Sequence, residues 1–167
     1  MRICRIKDEY IEYLRDKDSK VLTNKGERRP YVGIVYAINN VNYYIPLSSP
    51  KPKHKKMKNA KDFHKIKNGE YGAINFNKML PVKEQCIIEF NFKNEQDRKY
   101  RLLLQNQYKE ICLLEDVIKK KAENIYLLFH TDDSELTKAD LAVKGRCCDF
   151  DLLERMCKEY TMNNENS

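Results

Sequence analysis

The sequence predicts an α+β domain: a compact, strongly curved antiparallel β-sheet with a barrel-like core, flanked by helices. Three observations carry that prediction. The β-rich runs fall within residues 2 to 92, whereas the long helical pattern lies between 95 and 160. Two of those runs, YVGIVYAI and VNYYIPL, are parted only by Asn39 and Asn40, a pair that tolerates the left-handed backbone of a tight hairpin turn. Strands that precede helices, rather than alternating with them, argue against a doubly wound parallel sheet. With 167 residues, 41% of them hydrophobic, the chain is long enough for one core without disulfide or metal support. Residues 1–162 read as a single domain and 163–167 as a disordered tail.

Taken in order, residues 2 to 6 form a short strand. Asp8 then caps a helix whose apolar positions Tyr10, Ile11 and Leu14 fall three and four apart. Residues 16 to 29, DKDSKVLTNKGERR, read as an exposed loop leading into the hairpin. A second β-rich region over 71 to 92 carries YGAINF and CIIEFNF, with Pro81 breaking the pattern. The segment 95 to 130 keeps a helical period through Leu103, Leu104, Ile111, Leu114, Ile118, Ile125 and Leu128. The weaker stripe at KKKAEN, 119 to 124, marks where it would divide in two. A last helix fits 150 to 160 behind an Asp149 cap.

The net charge of +7 is lopsided. Residues 1 to 83 hold 19 Lys/Arg against 8 Asp/Glu, and residues 84 to 167 hold 13 against 17. A polyanion would therefore meet the N-terminal half. MRICRIKDEY is charged nearly from its first residue, so neither a leader nor a membrane span is expected and the reading is cytoplasmic. The six cysteines show no C-x-x-C spacing, which disfavours a zinc knuckle or a disulfide framework. No dinucleotide or Walker phosphate loop and no H-E-x-x-H occurs, and no cofactor and no metal is expected. Asp132, Asp133 and Glu135 read as solvated caps near a helix end rather than ion ligands.

Residues 48 to 58, SSPKPKHKKMK, hold five lysines, a histidine, two serines and two prolines straight after a strand. A solvated lysine face is the ordinary reading of such a run. Three features favour function instead. Pro50 and Pro52 stiffen the backbone around Lys51. Ser48 and Ser49 sit at a strand end, where their hydroxyls are aimed. Arg28, Arg29 and Pro30 precede the partner strand, so the hairpin brings Arg29 beside Ser49 and Lys51.

One guanidinium, one or two ammoniums and one or two hydroxyls suit a phosphodiester. RNA can be cut without metal when its own 2′-hydroxyl attacks the neighbouring phosphate; the protein then needs to bend the chain, neutralise charge and move two protons. A fixed cation about 4 Å away contributes roughly 1 kcal/mol in water and about 4 in a cleft of reduced dielectric. His54 and Lys51 are rival proton carriers, and the residues do not choose between them.

The order VGIV, YYIPLSSPKPKH, GAIN at 72 to 75, MLPV at 79 to 82 and CDFDLLE at 148 to 154 closely resembles the ToxN/AbiQ family of type III toxin–antitoxin toxins, over nearly the whole chain. The resemblance implies a metal-independent endoribonuclease that cuts adenine-rich RNA to a 2′,3′-cyclic phosphate. It also implies a repeat-derived antitoxin RNA, folded as a pseudoknot, that the toxin processes and that inhibits it within a closed protein–RNA assembly; cellular or phage RNA is the substrate. Carried over residue by residue, Ser49 and Lys51 match the family's serine and lysine, Arg29 its basic position before the first long strand, Ser48 a Thr/Ser position and His54 a recurrent histidine.

Arg28, Lys53, Lys55, Lys56 and Lys58 are expected to hold phosphates. Tyr31 and its neighbours Tyr36, Tyr43 and Tyr44 could stack on bases, though strand alternation turns about half of them inward. Asn75 could touch RNA or cap a turn, and His64 and His130 read as ordinary hydrogen-bonded side chains. The rival classes are a non-catalytic RNA-binding module and, more weakly, a DNA-binding regulator, which lacks a basic recognition helix. Neither a membrane nor DNA is an expected partner.

Overall fold

The computed structural model of the protein describes residues 1–161. Residue 162 and the tail expected at 163–167 lie outside the described residues. The chain runs β1 (Arg2–Ile6), α1 (Asp8–Lys17), β2 (Tyr31–Ile38), β3 (Val41–Ser48), α2 (Pro52–Lys56), β4 (Phe63–Lys65), β5 (Ala73–Asn75), β6 (Leu80–Pro81), β7 (Ile87–Glu89), α3 (Arg98–Leu113), α4 (Glu115–His130), α5 (Lys138–Arg146) and α6 (Phe150–Glu159). Every strand pairing is antiparallel, in the order β4-β5-β3-β2-β1-β7, with β6 joined to β3.

Asn39 and Asn40 take φ of 49° and 63° between β2 and β3, the left-handed pair a two-residue hairpin turn requires. The sheet is curled but does not close: β4 and β7 end its path unpaired with each other. Strands β4 to β7 are only two or three residues long, too short a ladder to join the ends, so the barrel-like core is an open curled sheet.

The hairpin is the middle of the sheet and of the core. Tyr31, Tyr43 and Tyr44 are fully buried. The α4 helix covers β2, while α6 packs on β6 and α1. Glu154 is buried yet satisfied, because the hydroxyls of Tyr43 and Tyr126 donate to it at 2.7 and 2.9 Å.

Local signals differ from expectation at four places. Lys7, not Asp8, is the N-cap of α1, and the Asp8 carboxylate accepts from the Glu27 N–H instead. The long helical segment divides at Leu114 rather than within 119 to 124. There Lys119 pairs with Glu115 and Lys120 with Glu123, one turn apart on the solvent side, which keeps α4 continuous. The α5 helix was not anticipated; its run KADLAVKGR has little apolar periodicity, and the Thr137 hydroxyl caps it. Finally, the 16–29 stretch is only partly the exposed loop expected: Asp16 and Lys17 end α1, and Asp18, Val21 and Asn24 are buried among exposed neighbours. Asp149 caps α6 as expected, accepting from the Leu152 N–H at 3.0 Å.

Candidate active site

The 18–29 loop, anchored by its buried Asp18, Val21 and Asn24, is what aims Arg29. Asn24 ties it to the sheet: its side-chain amide donates to the Ile6 carbonyl (2.8 Å), its side-chain oxygen accepts from the Tyr31 hydroxyl (3.1 Å), and its carbonyl accepts the Arg29 N–H (3.1 Å). Asp8 and Glu27 lock the other side, each backbone N–H donating to the other's carboxylate. Between these anchors Lys25, Gly26 and Glu27 all take left-handed φ near 60°, reversing the chain. Arg29 then donates through Nε to the Thr23 carbonyl at 2.7 Å. Its terminal nitrogens have no protein partner among the described residues, so the fork is fixed at its base and free at its tip. Burial lowers its pKa, opposed by Tyr31 and Tyr100, but an arginine stays charged.

The opposite wall is the end of β3. The Leu47 N–H donates to the Pro30 carbonyl at 2.9 Å, holding the start of β2 against the end of β3. Ser48 pairs with Ala73 of β5, and its hydroxyl accepts from the Asn75 amide at 3.0 Å. Gly72 permits this close approach: at φ +95° it packs so tightly that an added Cβ would lie 2.0 Å from the Ser48 carbonyl oxygen and 3.2 Å from the Pro50 nitrogen.

Arg29 and Ser49 line one cleft of about 360 Å³ together with Arg5, Lys25, Arg28 and Tyr100. Its two acids are already engaged: Glu95 pairs with Arg5 at 3.2 Å, and Asp97 caps α3 by accepting from Lys99 and Tyr100 N–H. Asp97 keeps its charge, but Lys25, Arg28 and Arg29 outnumber it, so the net charge facing the cleft is positive, as a phosphodiester requires.

Lys51 is exposed two residues beyond Ser49 and is not among the residues lining the cleft. It is the N-cap of α2, with Pro52 at the first helical position, so the lysine stretch holds a short helical turn over Pro52–Lys56. His54 requires a correction. It is 3% exposed, its backbone lies against Gly69 and its ring against Phe63, and its Nδ1 is buried without a partner. Burial lowers its pKa, with Lys51 and Lys53 adding to the effect, so it is neutral near pH 7. It is the buried residue of α2 and does not line the cleft.

Tyr31 is also corrected. It is wholly buried with its hydroxyl bonded to Asn24, so it cannot stack on a base. Tyr43 and Tyr44 are buried too, and only Tyr36 of the four is partly open: Tyr43 packs against Tyr126 of α4 and Phe150 of α6, and Tyr44 against Gly33 and Arg2. The Asn75 amide is engaged with Ser48. Arg28, Lys53, Lys55, Lys56 and Lys58 are exposed, as phosphate-binding side chains must be. His130 is hydrogen-bonded to the Tyr126 carbonyl and to Asp151, whereas His64 has a buried Nδ1 without a partner. Asp132 accepts from Ser134 and Asp133 pairs with Lys144, so the acidic run is a set of caps and pairs. Among the described residues no group of three His, Cys, Asp or Glu could hold a metal. No helix there is long and apolar enough to cross a membrane.

Arg5, Lys25 and Tyr100 were missed as wall residues. Lys25 carries one signal, a Lys-Gly pair that invites positive φ. Arg5 and Tyr100 reach the cleft only through the tertiary fold.

Residues 2–158 match the family model described as "Toxin ToxN, type III toxin-antitoxin system". A curated relative, Endoribonuclease ToxN of Bacillus thuringiensis subsp. kurstaki, is 35% identical over 93% of this chain and 81% of its own length. Endoribonuclease AbiQ of Lactococcus lactis subsp. lactis is 29% identical over 96% of this chain and 90% of its own. Among solved structures, a type III toxin described by its selective inhibition by a non-coding RNA pseudoknot superposes with a TM-score of 0.82 at 32% identity, covering 96% of this chain and 98% of its own. AbiQ, described as a lactococcal anti-phage endoribonuclease, superposes with a TM-score of 0.76 at 25% identity over 94% and 95% of the two chains.

Proposed function

The chain belongs to the ToxN family of endoribonuclease toxins from type III toxin–antitoxin systems, and from that premise we propose that the Arg29–Ser49 cleft cuts RNA by attack of its own 2′-hydroxyl. The observation that carries the reading is that Arg29 and Ser49, twenty positions apart in sequence, line one cleft with no unengaged acid. The 2′-oxygen loses its proton and bonds to phosphorus, the bond to the 5′-oxygen breaks, and that oxygen takes up a proton. The products are a 2′,3′-cyclic phosphate and a 5′-hydroxyl, and no metal ion is needed for the balance.

Within this reading the Arg29 fork and the Ser49 hydroxyl hold the non-bridging oxygens, where charge builds as phosphorus gains its fifth ligand. Ser48, oriented by Asn75, fixes the strand end beside them. Lys51, set between two prolines two residues beyond Ser49, is the residue that would reach the phosphate once RNA is bound, supplying charge and a proton. His54 serves as the neutral buried anchor of α2 that seats Lys51, rather than as the proton carrier. Arg28, Lys53, Lys55, Lys56 and Lys58 bind flanking phosphates. The inhibitor is a pseudoknot RNA of the kind described for the solved relative, folded from a repeat transcript that the toxin cuts into units, each occupying the same basic face in a closed protein–RNA assembly. Residues 1–162 act as one domain on cellular or phage RNA in the cytoplasm.

The test is end-mapping on a defined RNA. Ser49→Ala and Arg29→Ala should abolish cleavage while the protein still binds RNA, a 2′-deoxy nucleotide at the cut should block it, and excess EDTA should leave it intact. Full activity in Ser49→Ala, or loss of activity in EDTA, would overturn this mechanism.

A further inference from the structure

A second cavity, about 630 Å³ and larger than the cleft, opens where the lysine stretch meets α4. Its polar groups are Asn59, Lys61, Lys121 and Asn124, and its apolar wall is Ile125, Leu127 and Leu128. Lys121 fixes the mouth, its ammonium donating to the carbonyls of Ala60 and Phe63 and so tying that backbone to α4. Asn59 spends its side-chain oxygen on the Lys65 N–H at 2.8 Å, which leaves its NH₂ group free. The Asn124 amide has no protein partner among the described residues, and Lys61 pairs with Asp140 at the rim.

The chemistry of that lining is specific. An apolar wall receives the face of a flat ring, while the free NH₂ of Asn59 and the unengaged amide of Asn124 present donors and an acceptor to a ring edge, the combination that reads a nucleobase. The path leading in is cationic: from residue 51 to residue 61 the chain carries six lysines and no acid. That stretch joins Ser49 in the cleft to Asn59 in the cavity. An apolar peptide helix would leave the Asn59 NH₂ and the Asn124 amide unsatisfied and would gain nothing from the lysine path.

We propose that this cavity takes one unpaired nucleotide of the RNA strand whose scissile phosphate lies between Arg29 and Ser49, with the intervening phosphates following the lysine stretch. The proposal rests on the reading of the cleft given above. The cavity is then an exosite that selects single-stranded flanking sequence without touching the reacting atoms.

Leu127 is 53% exposed and Leu113, at the end of α3 outside the cavity, 81% exposed, so Leu127→Asp and Leu113→Asp change charge equally with little risk to folding. Binding is measured on a long single-stranded RNA carrying 2′-deoxyribose at the cut, and kcat/KM on a substrate trimmed to the nucleotides beside the cut. Leu127→Asp and Asn124→Ala should weaken the long strand about fivefold to tenfold, the scale of one base contact, and leave kcat/KM on the trimmed substrate unchanged. Leu113→Asp should stay within about twofold. An equal loss in Leu127→Asp and Leu113→Asp, or no loss in either cavity variant, overturns the exosite. So does wild-type protein binding a duplex of the same length as strongly as the single strand, with the same sensitivity to Leu127→Asp. Failure of the wild-type protein to cut the trimmed substrate would instead overturn the reading of the cleft, and the binding measurements would still decide the cavity.

Discussion

Replacing Gly72 with alanine is expected to uncouple RNA binding from RNA cleavage. The perturbation is one methyl group, but Gly72 is at φ +95°, where an L-residue is strained by about 1–2 kcal/mol before any contact is counted. The new Cβ would lie 2.0 Å from the Ser48 carbonyl oxygen, against a tolerable separation of at least 3.0 Å. One of the two backbones must therefore retreat by about 1 Å, and the obstacle is main chain, not a side chain that can rotate. That movement falls on the residue before Ser49. A displacement of that size at a reacting centre costs about 10²-fold in rate. The exposed lysines of α2 are untouched, so affinity for RNA should change by less than about threefold. Gly26 is the control: it too has left-handed φ, at +63°, but its Cβ would meet nothing within 4 Å. Gly26→Ala should share the strain without the shift and retain its rate. Single-turnover cleavage, thermal melting and RNA binding on the three proteins decide the matter. Gly72→Ala cutting at the wild-type rate would refute the claim that this close approach sets the position of Ser49.

Asn24→Ala removes two buried side-chain hydrogen bonds and orphans the Ile6 carbonyl and the Tyr31 hydroxyl; denaturant melts should report a loss of about 2–4 kcal/mol, with kcat falling as the Arg29 loop loosens. The pH dependence of stability follows from His54 and His64, whose pKa values burial lowers below the usual 6.5. Between the folded and unfolded values the unfolded chain binds more protons, so stability is full above pH 6.5 and declines as pH falls below it; His54→Gln should flatten that decline in melts from pH 7.5 to 5. Replacing Lys55 and Lys56 together with alanine should reduce the slope of log affinity against log salt by about 0.7 per lysine, measured on single-stranded RNA, and leave cleavage at saturating RNA unchanged.

How much of this was legible in the sequence depends on the range over which each signal acts. The hairpin was readable because two asparagines and alternating apolar residues are local, and from it the convergence of Arg29 and Ser49 followed. The 18–29 loop was misread because its anchors are distant in sequence: Asn24 bonds to Ile6, Glu27 to Asp8 and Asp18 to the Asp149 N–H. Polar residues that are buried and satisfied look the same in sequence as polar residues in water. His54 was misread for a related reason, since its lysine neighbours argue for exposure while Phe63 and Gly69, reached only through the fold, bury it. Tyr31 looked available because strand alternation assigns only one face to the core, whereas the adjacent Tyr43 and Tyr44 of its partner strand, on opposite faces, are both buried. The break at Leu114 and the weakly patterned α5 were hidden because helix ends there are set by packing, not by the apolar stripe.

The position of the hairpin has a consequence for engineering. β3 is paired on both sides, and the arginine loop and the lysine turn both depart from this twice-supported centre rather than from a frayed margin. Each is also clamped where it rejoins the sheet, the first at Pro30 and the second at the Ala60–Phe63 bridge. Such segments behave as cassettes: exchanging residues 52–59 with those of a relative should transplant a preference for one guest strand over another while the scaffold and its melting temperature stay put.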